Sequence, residues 1–231
     1  MHKVQLDWVT PDAERVIARH ARVSAKNPDK AEFTKLLKYC IRHSHWRIFE
    51  QASAIFEIIT SRAISAQIIR HKSFNFQELS QRYCDPLDLL EESELICWDF
   101  DLRKQDPTNR QNSTENMDIE IVAKFKQRIY DHFYESKKLY KDMINEGVAK
   151  ECARNVLMMC SPTKIYITGT IRSFIHYVGL RASVETQKEH RKIASSIGLS
   201  LSTVLPVTTE AVMSAANDDH SLRGWLNINY R

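Results

Sequence analysis

Two apolar, β-branched runs, ASAIFEIIT at 52–60 and TKIYITGTI at 163–171, each pass at once into a segment with helical spacing. Runs of this kind fit strands with a buried face, and the periodic segments that follow fit helices that cover them. A chain with this alternation is expected to fold as α/β. HKVQLDWV at 2–9 alternates well enough for a further strand. Thr10 should cap a helix that has Pro11 at its first position and runs to about Arg22. Further helices are expected over 29–43, 62–72, 117–146, 148–158, 172–180 and 185–203, with Gly147 closing the long one and Pro206 stopping the last. In the irregular stretch 84–116, LICWDF is a strand candidate and RKQDPTNRQNSTEN reads as an exposed loop. No linker divides the chain, so one domain over 1–231 is expected, long enough to bury a core without a staple.

Composition narrows the function. Glycine occurs only at 147, 169, 179, 198 and 224, so neither GxGxxG nor a Walker loop can form. Any nucleotide must then be held by side chains, mainly arginine. The formal charge of +4 is a mild bias toward anions and too small for a protein that coats itself with nucleic acid. Five cysteines without a CxxC pair argue against a zinc site or disulfide framework and for a reducing compartment. There is no HExxH, and no metal is expected. No run approaches the roughly 20 apolar residues of a membrane helix, and the N-terminal stretch lacks the character of a secretory signal. A soluble, cytoplasmic protein without membrane contact is expected.

The basic stretch RHKSFNFQELSQRY runs from Arg70 to Tyr83. Gln67, Arg70 and His71 are expected on one face of a helix end, followed by Glu78, Leu79, Ser80, Gln81 and Arg82 in a short loop. That loop offers fork donors and hydroxyls suited to a phosphorylated ligand. Arg154 interrupts the apolar pattern of ECARNVLM, and TIRSFIHYVGLR places Arg172 and His176 at i, i+4 before ending at Arg181. His45 and Glu50 precede the first apolar strand in HSHWRIFEQAS. Taken singly, each patch also fits a solvated helix end. Ser80 has no histidine–carboxylate partner at motif spacing, so a hydrogen-bonding role suits it better than a nucleophilic one.

In order, these segments resemble the flavin-dependent thymidylate synthases. Arg70-His71-Lys72, seven residues, then Ser80 is similar to that family's Arg-His-Arg, seven residues, Ser signature. ARVS at 21–24, His45 through Glu50, QxxRH at 67–71, ELSQRY at 78–83, AR-x-VL at 153–157 and the Arg172–His176–Arg181 spacing follow the family's order. Lys72 stands where the family has Arg, and Gln51 where many members have His.

The resemblance implies a non-Rossmann α/β domain with a mixed central sheet flanked by helices, assembling as a homotetramer with active sites at subunit interfaces. It implies FAD as cofactor, dUMP as substrate, and methylenetetrahydrofolate and NADPH as co-substrates. The reaction would be reductive methylation of dUMP to dTMP with release of tetrahydrofolate. Carried over residue by residue, FAD would meet Ser24, His45, Glu50, Arg70, His71, Lys72, Glu78, Thr170, Arg172 and His176. The nucleotide would meet Gln67, Arg70, Glu78, Leu79, Ser80, Gln81, Arg82, Arg154 and Arg181, with Arg181 catalytic by stabilising the N3-deprotonated uracil. Two rivals are a non-catalytic nucleotide- or RNA-binding module and a folate-dependent methyltransferase acting on nucleic acid; the modest charge disfavours both.

Overall fold

The computed structural model describes residues 2–89 and 100–228. The first strand is β1 (Lys3–Val9), followed by α1 (Ala13–Ala21), α2 (Thr34–Arg42), a 3-10 turn (Trp46–Glu50), β2 (Ser53–Ser61), α3 (Arg62–Ile68) and β3 (Asn75–Glu78). A two-residue pair, β4 (Lys104–Gln105) and β5 (Ser113–Thr114), precedes the long helix α4 (Ile119–Asn145). Then come α5 (Lys150–Ala153), a 3-10 turn (Arg154–Val156), β6 (Pro162–Thr170), α6 (Ile171–Arg181), α7 (Lys188–Val204), α8 (Pro206–Ala215) and a 3-10 helix (His220–Asn227). The α/β class read from the sequence holds. The sheet order is β1-β2-β6-β3, with β4 and β5 pairing antiparallel in a separate ribbon.

Backbone contacts divide the chain into two compact units, one of residues 1–3, 59–67 and 78–165, the other of 4–58, 68–77 and 166–231. In the first, Leu87, Tyr140 and Ala153 form a buried cluster with Met143, Ile144, Val148, Val156 and Leu157 against it. Asp118 caps α4 by accepting from the backbone N–H of Glu120 and Ile121 at 2.8 and 3.2 Å. Gly147, at φ 83°, ends it as expected. The polar run 103–116 is not a plain loop. Asp106 accepts from the backbone N–H of Thr108 and Asn109 and from Asn112 Nδ2, all at 2.9 Å, which holds the β4–β5 tip.

In the second unit, the alternation of β2 buries Ala54, Phe56 and Ile58, and Phe56 packs on Phe174 of α6 with ring centroids 5.1 Å apart. Several expected boundaries move. Thr10 does not cap α1: its hydroxyl donates to Ser53 O at 3.3 Å and accepts from Ser53 N at 3.0 Å, tying the end of β1 to the start of β2. Asp12, at φ 50°, takes the cap position instead. Helix α2 starts at Thr34 rather than 29. Helix α3 stops at Ile68 rather than 72, because the chain turns to enter β3, a strand the local pattern did not reveal. The segment 148–158 is a single helical turn followed by a 3-10 turn. The helix before Pro206 ends at Val204, as expected, and Pro206 then opens α8, a helix the sequence reading did not foresee; Glu14 receives the N–H of Thr208 at 2.6 Å in its first turn. Most of the LICWDF candidate lies outside the described residues.

Candidate active site

The expected site residues form a group in each unit. In the first, Glu78 ends β3 with most of its side chain covered, and one oxygen is heavily used. Ser65 Oγ donates to Oε1 at 2.6 Å, Thr163 Oγ1 donates at 3.0 Å, and Arg62 Nη1 pairs with it at 2.5 Å. The carboxylate therefore ties β3 to α3 and β6. Leu79 N–H donates to Lys164 O at 2.8 Å, and the Ser80 carbonyl receives Tyr83 and Cys84 N–H, both at 3.1 Å. The chain thus makes a hydrogen-bonded turn at Ser80–Cys84, with the Ser80 hydroxyl accepting from Arg82 N–H at 3.4 Å. Arg82 Nε donates to Glu151 at 3.1 Å between exposed side chains, and Lys150 Nζ reaches Tyr83 O at 2.9 Å. These contacts lay the turn against α5, whose end carries the exposed Arg154. Gln67 and Gln81 are half-buried in the same unit.

The second unit holds the other group, built on α6. Thr170 caps this helix, accepting from Ser173 N–H at 3.2 Å. One turn in, Arg172 forms an ion pair with Glu50, so the 3-10 turn Trp46–Glu50 is fastened to the helix start. Trp46 meets the His176 ring edge-on at 4.9 Å between centroids. His71 lies against Tyr177, also edge-on, at 5.2 Å, and against Phe74 at 5.2 Å. Tyr177 OH shares a hydrogen bond of 3.0 Å with His190 Nε2, and both residues are buried. His45 and Ser24 are exposed, Ser24 in the turn after α1.

Electrostatics sharpen this group. Burial, then the positive charge of Arg181 and the neighbouring His176, hold the His71 pKa below its ordinary 6.5. His176 is lowered by burial and by Arg172, against a smaller opposing pull from Asp219. Both imidazoles therefore favour the neutral form at pH 7. Burial keeps the Tyr177 phenol protonated throughout the ordinary pH range. Arg181 is half-buried, and among the described residues its buried Nε has no hydrogen-bond partner. A buried donor left unanswered is costly unless a ligand completes it. Arg70 and Lys72 are exposed in the turn after α3, and neither has a hydrogen-bond or ion-pair partner among the described residues. They lie just past the helix end rather than on its face.

The sequence reading missed Trp46, Phe74, Tyr177 and His190. Trp46 lies inside the quoted HSHWRIFEQAS and could have been weighed as an aromatic wall. The Tyr177–His190 pair carried no local signal. The sequence likewise did not show that Glu78 is engaged by Arg62, Ser65 and Thr163. Among the described residues no group of three or more His, Cys, Asp or Glu could hold a metal ion.

The chain matches the family described as thymidylate synthase complementing protein over residues 5–207. It is 42% identical over 192 residues to a protein of Synechocystis named flavin-dependent thymidylate synthase, covering 83% of this chain and 86% of that one. A protein of Paramecium bursaria Chlorella virus 1, named probable flavin-dependent thymidylate synthase, is 43% identical over 188 residues, covering 80% of this chain and 83% of the other. Among solved structures, a UMP/dUMP methylase, PolB, from Streptomyces cacaoi, crystallised with 5-Br dUMP, superposes with a TM-score of 0.76 at 21% identity, over 93% of this chain and 95% of that one. That likeness speaks to the fold.

Proposed function

The chain belongs to the thymidylate synthase complementing protein family, and from this we propose that it is a flavin-dependent thymidylate synthase acting on dUMP. The net reaction joins dUMP, methylenetetrahydrofolate, NADPH and a proton to give dTMP, tetrahydrofolate and NADP+. We read residues 1–231 as one domain of the family with a mixed sheet, working in the cytoplasm as a homotetramer whose sites form between subunits.

The observation that carries the reading is Arg181, a half-buried cation with an unanswered Nε beside an imidazole kept neutral. Removal of the uracil N3 proton pushes electron density toward C5, and a guanidinium, always charged and able to donate in parallel, stabilises that anion. Arg154 and Arg82 suit the phosphate. Arg82 can exchange its exposed partner Glu151 for a ligand at little cost, since such pairs contribute about 0–1 kcal/mol.

The donor set also fits FAD without a glycine loop. Arg70 and Lys72 are free cations for its phosphates or ring carbonyls, while His71, His176, Thr170, Arg172, Ser24, His45 and Glu50 would line it. When bound, FAD supplies the hydride chemistry that completes the methyl group. The side chains bind, orient and hold charge around it. Glu78 acts as an anchor that fixes the nucleotide loop Leu79–Arg82.

A turnover assay with dUMP, methylenetetrahydrofolate and NADPH, with and without FAD, tests the proposal. FAD-dependent dTMP formation is expected. A colourless protein that binds nucleotides without turnover would make it a binding module instead.

A further inference from the structure

Helix α1 carries Arg15 and Arg19 on one side, at i and i+4, and Arg22 caps its C-terminal end. Arg22 is held by two hydrogen bonds, its Nη1 and Nη2 donating to the carbonyls of Lys30 and Glu32 at 2.8 and 2.6 Å. This clasp draws residues 28–33 across the helix, beside a half-open cavity of about 200 Å³. Val16 and Phe33 give it an apolar wall, and its charge comes from four cations, Arg15, Arg19, Arg22 and Lys30, against two acids, Asp12 and Asp29. Arg15 and Arg19 are exposed, and neither has a hydrogen-bond or ion-pair partner among the described residues, although both acids line the same cavity.

We infer that this cavity binds the adenosine 2′-phosphate end of NADPH; the inference rests on the proposed reaction. The volume is below the roughly 300–1,000 Å³ of a pocket that takes a whole ligand, so it suits one end of a longer molecule. Two free guanidiniums one turn apart suit a phosphate monoester dianion. The carboxylates disfavour bare phosphate but accept from sugar hydroxyls and an adenine amino group, while Val16 and Phe33 offer the base an apolar surface. Helix α1 packs on the Trp46–Glu50 turn, and that turn packs on α6, so one element separates the cavity's helix from the one that carries Arg172 and His176. A reductant must arrive and leave at each turnover, and exposed arginines allow that.

The test compares the full-length protein with an Arg15→Ala/Arg19→Ala double variant. Calorimetric titration uses 2′,5′-ADP, which carries the 2′-phosphate, with 5′-AMP and dUMP as controls. We expect 2′,5′-ADP to bind the variant about 10–100-fold more weakly, the range for losing charged hydrogen bonds, with both controls unchanged. In turnover, the KM for NADPH should rise by a similar factor while the KM for NADH, the KM for dUMP and kcat stay put. Equal 2′,5′-ADP affinity in the two proteins overturns the inference, and so does an equal loss for 5′-AMP or dUMP. If the wild type makes no dTMP with either reductant, the proposed reaction fails, and the titration still decides the cavity.

Discussion

Arg181 and Glu78 differ in how their charges are answered. Three side chains engage Glu78, whereas the Nε of Arg181 is buried without a partner among the described residues. Arg181→Ala should therefore cost about 10²–10³ in the rate of dTMP formation, as for removal of one electrostatic donor. Flavin reduction by NADPH should survive, because it does not need an activated C5. Measuring the two half-reactions separately checks this, and loss of both, or of neither, would sink the assignment. His71 and His176 lead to a pH prediction. Their folded pKa values lie below 6.5, so the unfolded chain takes up protons first as pH falls. Their contribution to stability is then full above about pH 6.5 and declines as pH drops from there toward the folded values. Urea midpoints should fall between pH 7 and 5, and less steeply in a His71→Gln/His176→Gln variant; an identical slope in both proteins would assign the effect to other groups. The residue types at these positions were legible in the sequence. Which of them would be neutral, paired or left open was not, because burial sets that.

At the scale of elements, α6 is held by the 3-10 helix His220–Asn227. Trp225 Nε1 donates to Ile175 O at 2.8 Å and Asn227 Nδ2 to Ala182 O at 3.0 Å. The two backbones meet at glycines: a Cβ on Gly179 would lie 2.3 Å from Ser221 O, and one on Gly224 would lie 2.3 Å from Val178 O. Gly179→Ala must push the segments apart next to Arg181. We expect a loss of about 1–3 kcal/mol and a fall of about 2–4 °C in Tm for each, together with reduced dTMP formation. Gly147→Ala makes the contrast. It meets nothing within 4 Å, but φ is +83°, so the cost should be about 1–2 kcal/mol with kcat unchanged. Thermal melts and turnover of both variants separate a crowding effect from a dihedral one; equal loss of activity would refute the positioning role of this contact. The sequence foresaw the helix end at Gly147 because the signal is local. It could not foresee Gly179, whose reason lies more than forty residues away along the chain.

For the whole molecule, the proposal is a tetramer with shared sites. Exposed apolar side chains on α4, among them Ile119, Ile121, Phe125 and Tyr134, are consistent with a further surface to cover. The purified protein should be yellow and should scatter light with the mass of a tetramer. A stable monomer that retains FAD would refute the shared site while leaving the family assignment intact.

The sequence by itself determined the α/β class, the buried strands at 52–60 and 163–171, the long helix and its glycine stop, and the ordered motifs that mark the family. These are carried by side-chain periodicity, caps and spacing, all of which act within a few residues. Tertiary structure decided the rest. It placed β6 between β2 and β3, ended α3 at Ile68 so that Arg70 and Lys72 stand free in a turn, turned Glu78 into an anchor, and joined Tyr177 to His190 beneath His71. The reason is physical: strand neighbours, burial and the partner of a charge are set by residues far apart in the chain, and no local pattern encodes them.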